Sequence, residues 1–145
     1  MYDQSTNKYK ESPMKLLLTH TGRSLLALYF LLPGIMKFAA WDMHVTLMET
    51  HGMMMVPVLL ALSGIVQIGA SILLLFNKKV VICALGLAGM VLIINVNLHD
   101  FWNVYEGVNA ERETQNFVKN LGIFAGLLLL AAMNMKDAGS VNTQA

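Results

Sequence analysis

Apolar positions along the chain gather into four long blocks separated by short polar stretches. The blocks run from Leu16 to Ala40, Met53 to Phe76, Val80 to Leu98 and Phe117 to Met135. Each holds roughly twenty residues or more, which at ~1.5 Å rise per residue crosses a hydrocarbon layer of ~30 Å. A helix satisfies its own backbone in lipid without having to close into a barrel. The pattern therefore predicts an all-α membrane protein, built as a four-transmembrane-helix antiparallel bundle. Its expected organisation is a polar N-terminal tail over 1–15, a transmembrane domain over 16–136 and a C-terminal tail over 137–145. The Asn77-Lys78-Lys79 link leaves room only for an antiparallel turn.

Composition agrees with this reading. Of 145 residues, 56% are hydrophobic and 13% charged, about half the charged fraction of ~25% usual in soluble domains. A formal net charge of +1 with no basic run gives no sign of a nucleic-acid partner; the expected surroundings are a lipid bilayer and other subunits of a membrane complex. The single cysteine, Cys83, lies inside an apolar block, so neither a disulfide framework nor a CxxC redox pair exists.

Charge placement then orients the spans. Lys8, Lys10 and Lys15 lie at the start, Lys78 and Lys79 in the middle turn, and Lys136 after the last block. The loop from Trp41 to Gly52 has no lysine or arginine, and the last loop sets Arg112 among Asp100, Glu106, Glu111 and Glu113. The positive-inside rule puts both termini in the cytoplasm and both longer loops outside, with Trp41 and Trp102 at the outer interface. A leader cleaved after Ala40 fits poorly, because Phe38 would occupy the position that favours a small residue.

Several polar groups fall inside the blocks. Arg23 and Lys37 share one helical stripe with Leu26, Phe30 and Pro33. Counted from the block ends, Gln67 falls near the depth of Arg23, which predicts a structural polar pair. Around Gln67 the small residues Ser63, Gly64, Ala70 and Ser71 predict close helix approach, and Gly122 with Gly126 forms a GxxxG pair on the fourth span. Asn95, His99 and Trp102 are spaced to share a face at the outer end of span three. Lys119 and Asn120 begin span four at similar depth. Lys37, Asn95, His99, Lys119 and Asn120 are thus expected to converge near the outer rim as a ligand site, with His99 the catalytic candidate. Each has a plainer alternative: lysines near span ends snorkel to headgroups, and amides act as interhelical glue.

Other chemistry finds little support. The four histidines do not face one another as a bis-histidine haem needs. His51 with Met53, Met54 and Met55 suggests copper handling less than the start of the second span. No metal site, phosphate loop or nucleophile elbow is expected.

Four segments nevertheless resemble one family. "GRSLLALYFLLPGIMKF" looks like the opening of DoxX-type membrane proteins. "GIVQIGASILLLF" fits their second span, "NLHDFW" their histidine-plus-aromatic end of span three, and "NFVKNLGIFAGLLLL" their fourth. The resemblance covers roughly residues 22 to 132. It implies a bacterial inner-membrane four-helix protein tied to redox and sulfur metabolism, some relatives being subunits of thiosulfate:quinone oxidoreductases. Gln67 departs from the glutamate the family pattern would place there, leaving a net positive charge in the bundle. Two main readings follow. The first is an accessory or quinone-interacting redox subunit that holds a quinone or a sulfur oxyanion, with no covalent cofactor, in which Lys37 and Lys119 polarise ligand oxygens and Asn95 orients them. The second is a non-catalytic anchor or assembly subunit. A small-solute transporter is a third possibility, though no inverted repeat is seen.

Overall fold

The computed structural model describes residues 12–135. They form five helices: α1 (Pro13–Ala39), α2 (Trp41–Thr50), α3 (Val56–Leu75), α4 (Val80–Leu98) and α5 (Ala110–Asn134). Four of these are long and apolar enough to cross a membrane. The expected four-span helical architecture is therefore present. Most of the tails expected at 1–15 and 137–145 lie outside the described residues, while Pro13 to Lys15 already belong to α1.

Local chemistry sets the helix ends. The Ser12 side chain accepts the Lys15 N–H at 3.2 Å, and Pro13 takes the first helical position, where its missing N–H costs nothing. Asn109 caps α5 in the same way by accepting from Arg112 N, with Glu111 and Glu113 facing the positive end of the helix dipole. α5 thus begins seven residues before its apolar block, because its first two turns are polar but well capped. Between α3 and α4, Asn77 adopts φ 56°, a left-handed conformation that asparagine tolerates better than most residues. The Lys78 N–H then closes onto the Leu73 carbonyl at 2.8 Å and ends α3.

The first long loop is not a loop but α2. Trp41, Val45 and Met48 recur at helical spacing and pack on Val56, Leu60 and Leu98, so a short amphipathic helix covers one end of the bundle. The spans pack in the order α1–α3–α4–α5, with α1 against α3 and α4 against α5 as the main seams. The shared core includes Ala27, Phe30, Leu74, Ala84, Leu87 and Leu127. Many large apolar side chains instead face outward, among them Leu18, Leu25, Ile82, Ile93 and Leu129, as expected of helices clad in lipid.

Small residues fix the α1–α3 register. A Cβ on Gly34 would lie 3.0 Å from both Gln67 Cβ and Ile68 Cγ1, and one on Gly64 would lie 2.6 Å from the Phe38 ring. Gly34 therefore sits beside Gln67 and Phe38 beside Gly64. On that register Arg23, eleven residues before Gly34, falls some 16 Å further along α1. It lies level with the α3–α4 turn rather than with Gln67, and the first turns of α1 run past that turn. The GxxxG pair behaves differently from expectation. A Cβ on Gly122 would meet nothing within 4 Å, and one on Gly126 only Leu26 at 3.9 Å.

Replacing Gly34 with valine is expected to push α1 off α3 and cost roughly 1–3 kcal/mol. Gly122→Ala should change stability by less than about 0.5 kcal/mol. Thermal unfolding of the detergent-solubilised variants measures both, and equal losses would show that the register argument is mistaken.

Candidate functional site

Three polar assemblies occupy the bundle, and they divide the expected site residues between them. The first is an amide chain deep between α1, α4 and α5. Tyr29 OH donates to Asn120 Oδ1 at 3.3 Å, Asn120 Nδ2 donates to Asn95 Oδ1 at 2.8 Å, and Asn95 Nδ2 donates to the Phe117 carbonyl at 3.1 Å. Asn95 is 1% exposed and Asn120 7%. Their amides thus bond within the protein. Away from water such groups must be paired, and these two pair with each other rather than with a ligand.

The second assembly belongs to the α1–α3 seam. Lys37 Nζ donates to Gln67 Oε1 at 2.8 Å. This corrects the expected Arg23–Gln67 pair. Gln67 is claimed by the cation that the Gly34 contact brings alongside it, and Arg23 bonds Asn77 and His20 at the far end of the seam. Lys119 also departs from expectation. It is exposed on α5 and donates to Asn116 Oδ1, because one helical position separates it from the inward-facing Asn120. The expected convergence of five residues therefore does not form.

A cavity of about 580 Å³ opens instead along the α3–α4 groove beneath α2. Its walls are aliphatic, and Gly86 and Gly89 of α4 leave it open: a Cβ on either would meet nothing within 4 Å. His44, Asn97 and His99 border it near α2, with Lys37 and Ser63 further along the groove. Of the expected site residues, Lys37 and His99 reach this cavity, and Asn95, Asn120 and Lys119 do not border it. His44, Ser63 and Asn97 were missed by sequence reasoning. His44 lies in the segment read as loop, and Asn97 points away from the face that Asn95 shares with His99. The glycines at 86 and 89, three apart on one helix face, were the available sign of a groove.

His99 joins the cavity to the third assembly. Its Nδ1 bonds the Glu113 carboxylate. With that carboxylate ionised the proton sits on Nδ1, and Nε2 remains for another partner. Beside it Asp100 accepts from Tyr105 OH and Asn103 Nδ2, both at 2.6 Å, and lies 3.8 Å from His51 Nε2. The His51 Nδ1–H donates to the Leu47 carbonyl at 2.8 Å, and its ring lies 4.5 Å from that of Tyr105. This clasp ties the α2–α3 junction to the loop after α4. Burial works to raise the Asp100 carboxyl, but the hydrogen bonds from Tyr105 and Asn103 and the nearby His51 hold it below the usual carboxylate value. The hydrogen bond to Asp100, aided by burial, raises the Tyr105 phenol. Among the described residues no three of His, Cys, Asp or Glu gather into a set suited to hold a metal ion.

Two outcomes follow from these networks. Asn120→Ala should cost roughly 1–3 kcal/mol by orphaning Asn95, against little change for Lys119→Ala, measured by thermal unfolding. Asp100 titrates lower when folded than when unfolded, so its stabilising effect is present above the ordinary value of 3.8 and is lost as pH falls through the folded value. Asp100→Asn should flatten the stability–pH curve in that acid window, and an unchanged slope would refute the assignment.

No curated protein and no solved structure matches the chain. A family model does: the one described as DoxX matches residues 18–100, which is more than half of the length and takes in α2, α3, α4 and most of α1. With the four spans and the His99 end of α4 now placed, the conclusion is that this chain is an integral membrane protein belonging to the DoxX family.

Proposed function

We propose that the α3–α4 cavity binds a quinone and that the protein serves as the quinone-interacting, accessory subunit of a redox membrane complex. The observation that carries this reading is the cavity itself. It is large and mostly aliphatic, and it bears a few hydrogen-bonding groups, Lys37, Asn97 and His99 among them. Lys37 and Asn97 offer the N–H groups that remain after Lys37 donates to Gln67 and Asn97 to the Ile93 carbonyl. His99, backed by Glu113, is placed to exchange a proton with an oxygen bound near α2. The isoprenoid tail lies along the groove between α3 and α4. An oxidoreductase partner supplies or accepts the electrons, and this chain supplies the pocket in the bilayer.

The same reading sets the protein in a bacterial inner membrane, with both termini cytoplasmic and α2 at the outer face. Its support is the asymmetry of charge. Lys15, Lys78 and Lys79 lie at one end, while Asp42, Glu49, Asp100, Glu106, Glu111 and Glu113 lie in α2, the loop after α4 and the first turn of α5.

A short-chain ubiquinone analogue titrated into the detergent-solubilised protein should bind saturably, read as quenching of tryptophan fluorescence. Gly89→Leu places a side chain in the groove at a position where a Cβ meets nothing within 4 Å and should weaken binding roughly tenfold or more, and His99→Ala several-fold. Non-saturable quenching, or equal affinity in the wild type and Gly89→Leu, would reject the quinone reading.

A further inference from the structure

We infer that the opposite end of the bundle holds an oxyanion of the phosphate class, bound by Arg23 and its neighbours. Arg23 is a permanently charged group only 5% exposed within an apolar span, and no carboxylate pairs with it among the described residues. Its two closest partners are neutral. Nη1 donates to Asn77 Oδ1 at 2.7 Å and Nη2 to His20 Nδ1 at 2.9 Å, while the buried Nε–H meets no acceptor. A guanidinium held in this way carries an uncompensated charge, which is costly unless an anion completes the site.

The hydrogen-bond roles of the neighbours point the same way. Arginine only donates, so His20 must accept at Nδ1, and its neutral ring carries the remaining proton on Nε2. Asn77 accepts through its carbonyl oxygen, which leaves its NH₂ group for a ligand. Thr19 adds a hydroxyl. These residues, with Lys15 and Asn134, line a pocket of about 170 Å³ beside the α3–α4 turn, the volume of roughly six waters. Lys78 and Lys79 extend the positive field along that turn. All six carboxylates of the described residues lie in α2, the loop after α4 or the start of α5; Asp3, Glu11 and Asp137 fall outside the described residues. An array of N–H and O–H donors around a fixed cation suits an oxyanion, phosphate included. A lipid phosphate at headgroup depth and a free phosphate ion present the same chemistry. The site is separate from the α3–α4 cavity, and its assignment does not depend on the quinone reading.

The test uses the full chain in two arms. In detergent, thermal stability is followed on addition of inorganic phosphate, against sodium chloride at matched ionic strength. In vesicles, phosphatidylcholine is compared with phosphatidylcholine plus phosphatidylglycerol, and retained lipid is read by native mass spectrometry. Saturable stabilisation by phosphate beyond that by chloride marks a free-oxyanion site. Stabilisation and retention of phosphatidylglycerol with phosphate inert marks a lipid site. Either supports the inference if Arg23→Gln weakens the effect roughly tenfold. Should that variant not fold, Thr19→Val, which keeps the arginine and removes one donor, should weaken it several-fold. Absence of both effects in the wild type overturns the inference, as does an effect undiminished in the variants.

Discussion

The close approach of α1 to α3 governs what every polar group in this bundle can reach. Hydrocarbon gives helices no solvent-driven reason to associate, so contact depends on surfaces that fit. Gly34 lets the α1 backbone settle beside Gln67 and Ile68, and Gly64 receives the Phe38 ring. Once these contacts are made the seam cannot slide. Lys37 is carried to Gln67, and Arg23 is carried to the α3–α4 turn. A shift of one helical turn, about 5.4 Å, would part both pairs and strand a cation in lipid.

Within that frame the polar residues fall into separate groups. The chain from Tyr29 through Asn120 and Asn95 to the Phe117 carbonyl spends its amides across three helices and serves as cross-linking. The clasp around Asp100 closes the acidic end by joining loops that would otherwise meet only through α2. Lys37, Asn97 and His99 differ because they border open volume. Arg23 differs again, as a buried charge whose partners are neutral.

The two ends of the bundle are consequently chemical opposites. One gathers carboxylates, imidazoles and phenol around a short amphipathic helix; the other gathers cations and amide donors around a tight turn. The apolar cavity lies toward the first, and the arginine pocket belongs to the second. Between them the core of Phe30, Leu74, Leu87 and Leu127 is closely packed.

The sequence alone determined the four spans, because apolar blocks of membrane-crossing length have few other solutions, and it carried the four motifs that resemble the DoxX family. It also marked Lys37 and His99 as candidates and Gly64 as a contact. What it left undecided were matters of register and direction. Counting from block ends put Arg23 level with Gln67, since nothing in the apolar pattern shows how far α1 runs past its neighbour. Asn95 and Asn120 carry the chemistry of ligand groups, and only the packed helices reveal that each already holds the other. α2 hid in a polar segment because one apolar stripe of three residues is a weak signal until it has Leu60 and Leu98 to rest on. Span length is a property of the chain and could be read from it. Which side chains meet depends on the relative shift and rotation of separate helices, and those are set only when their surfaces come together.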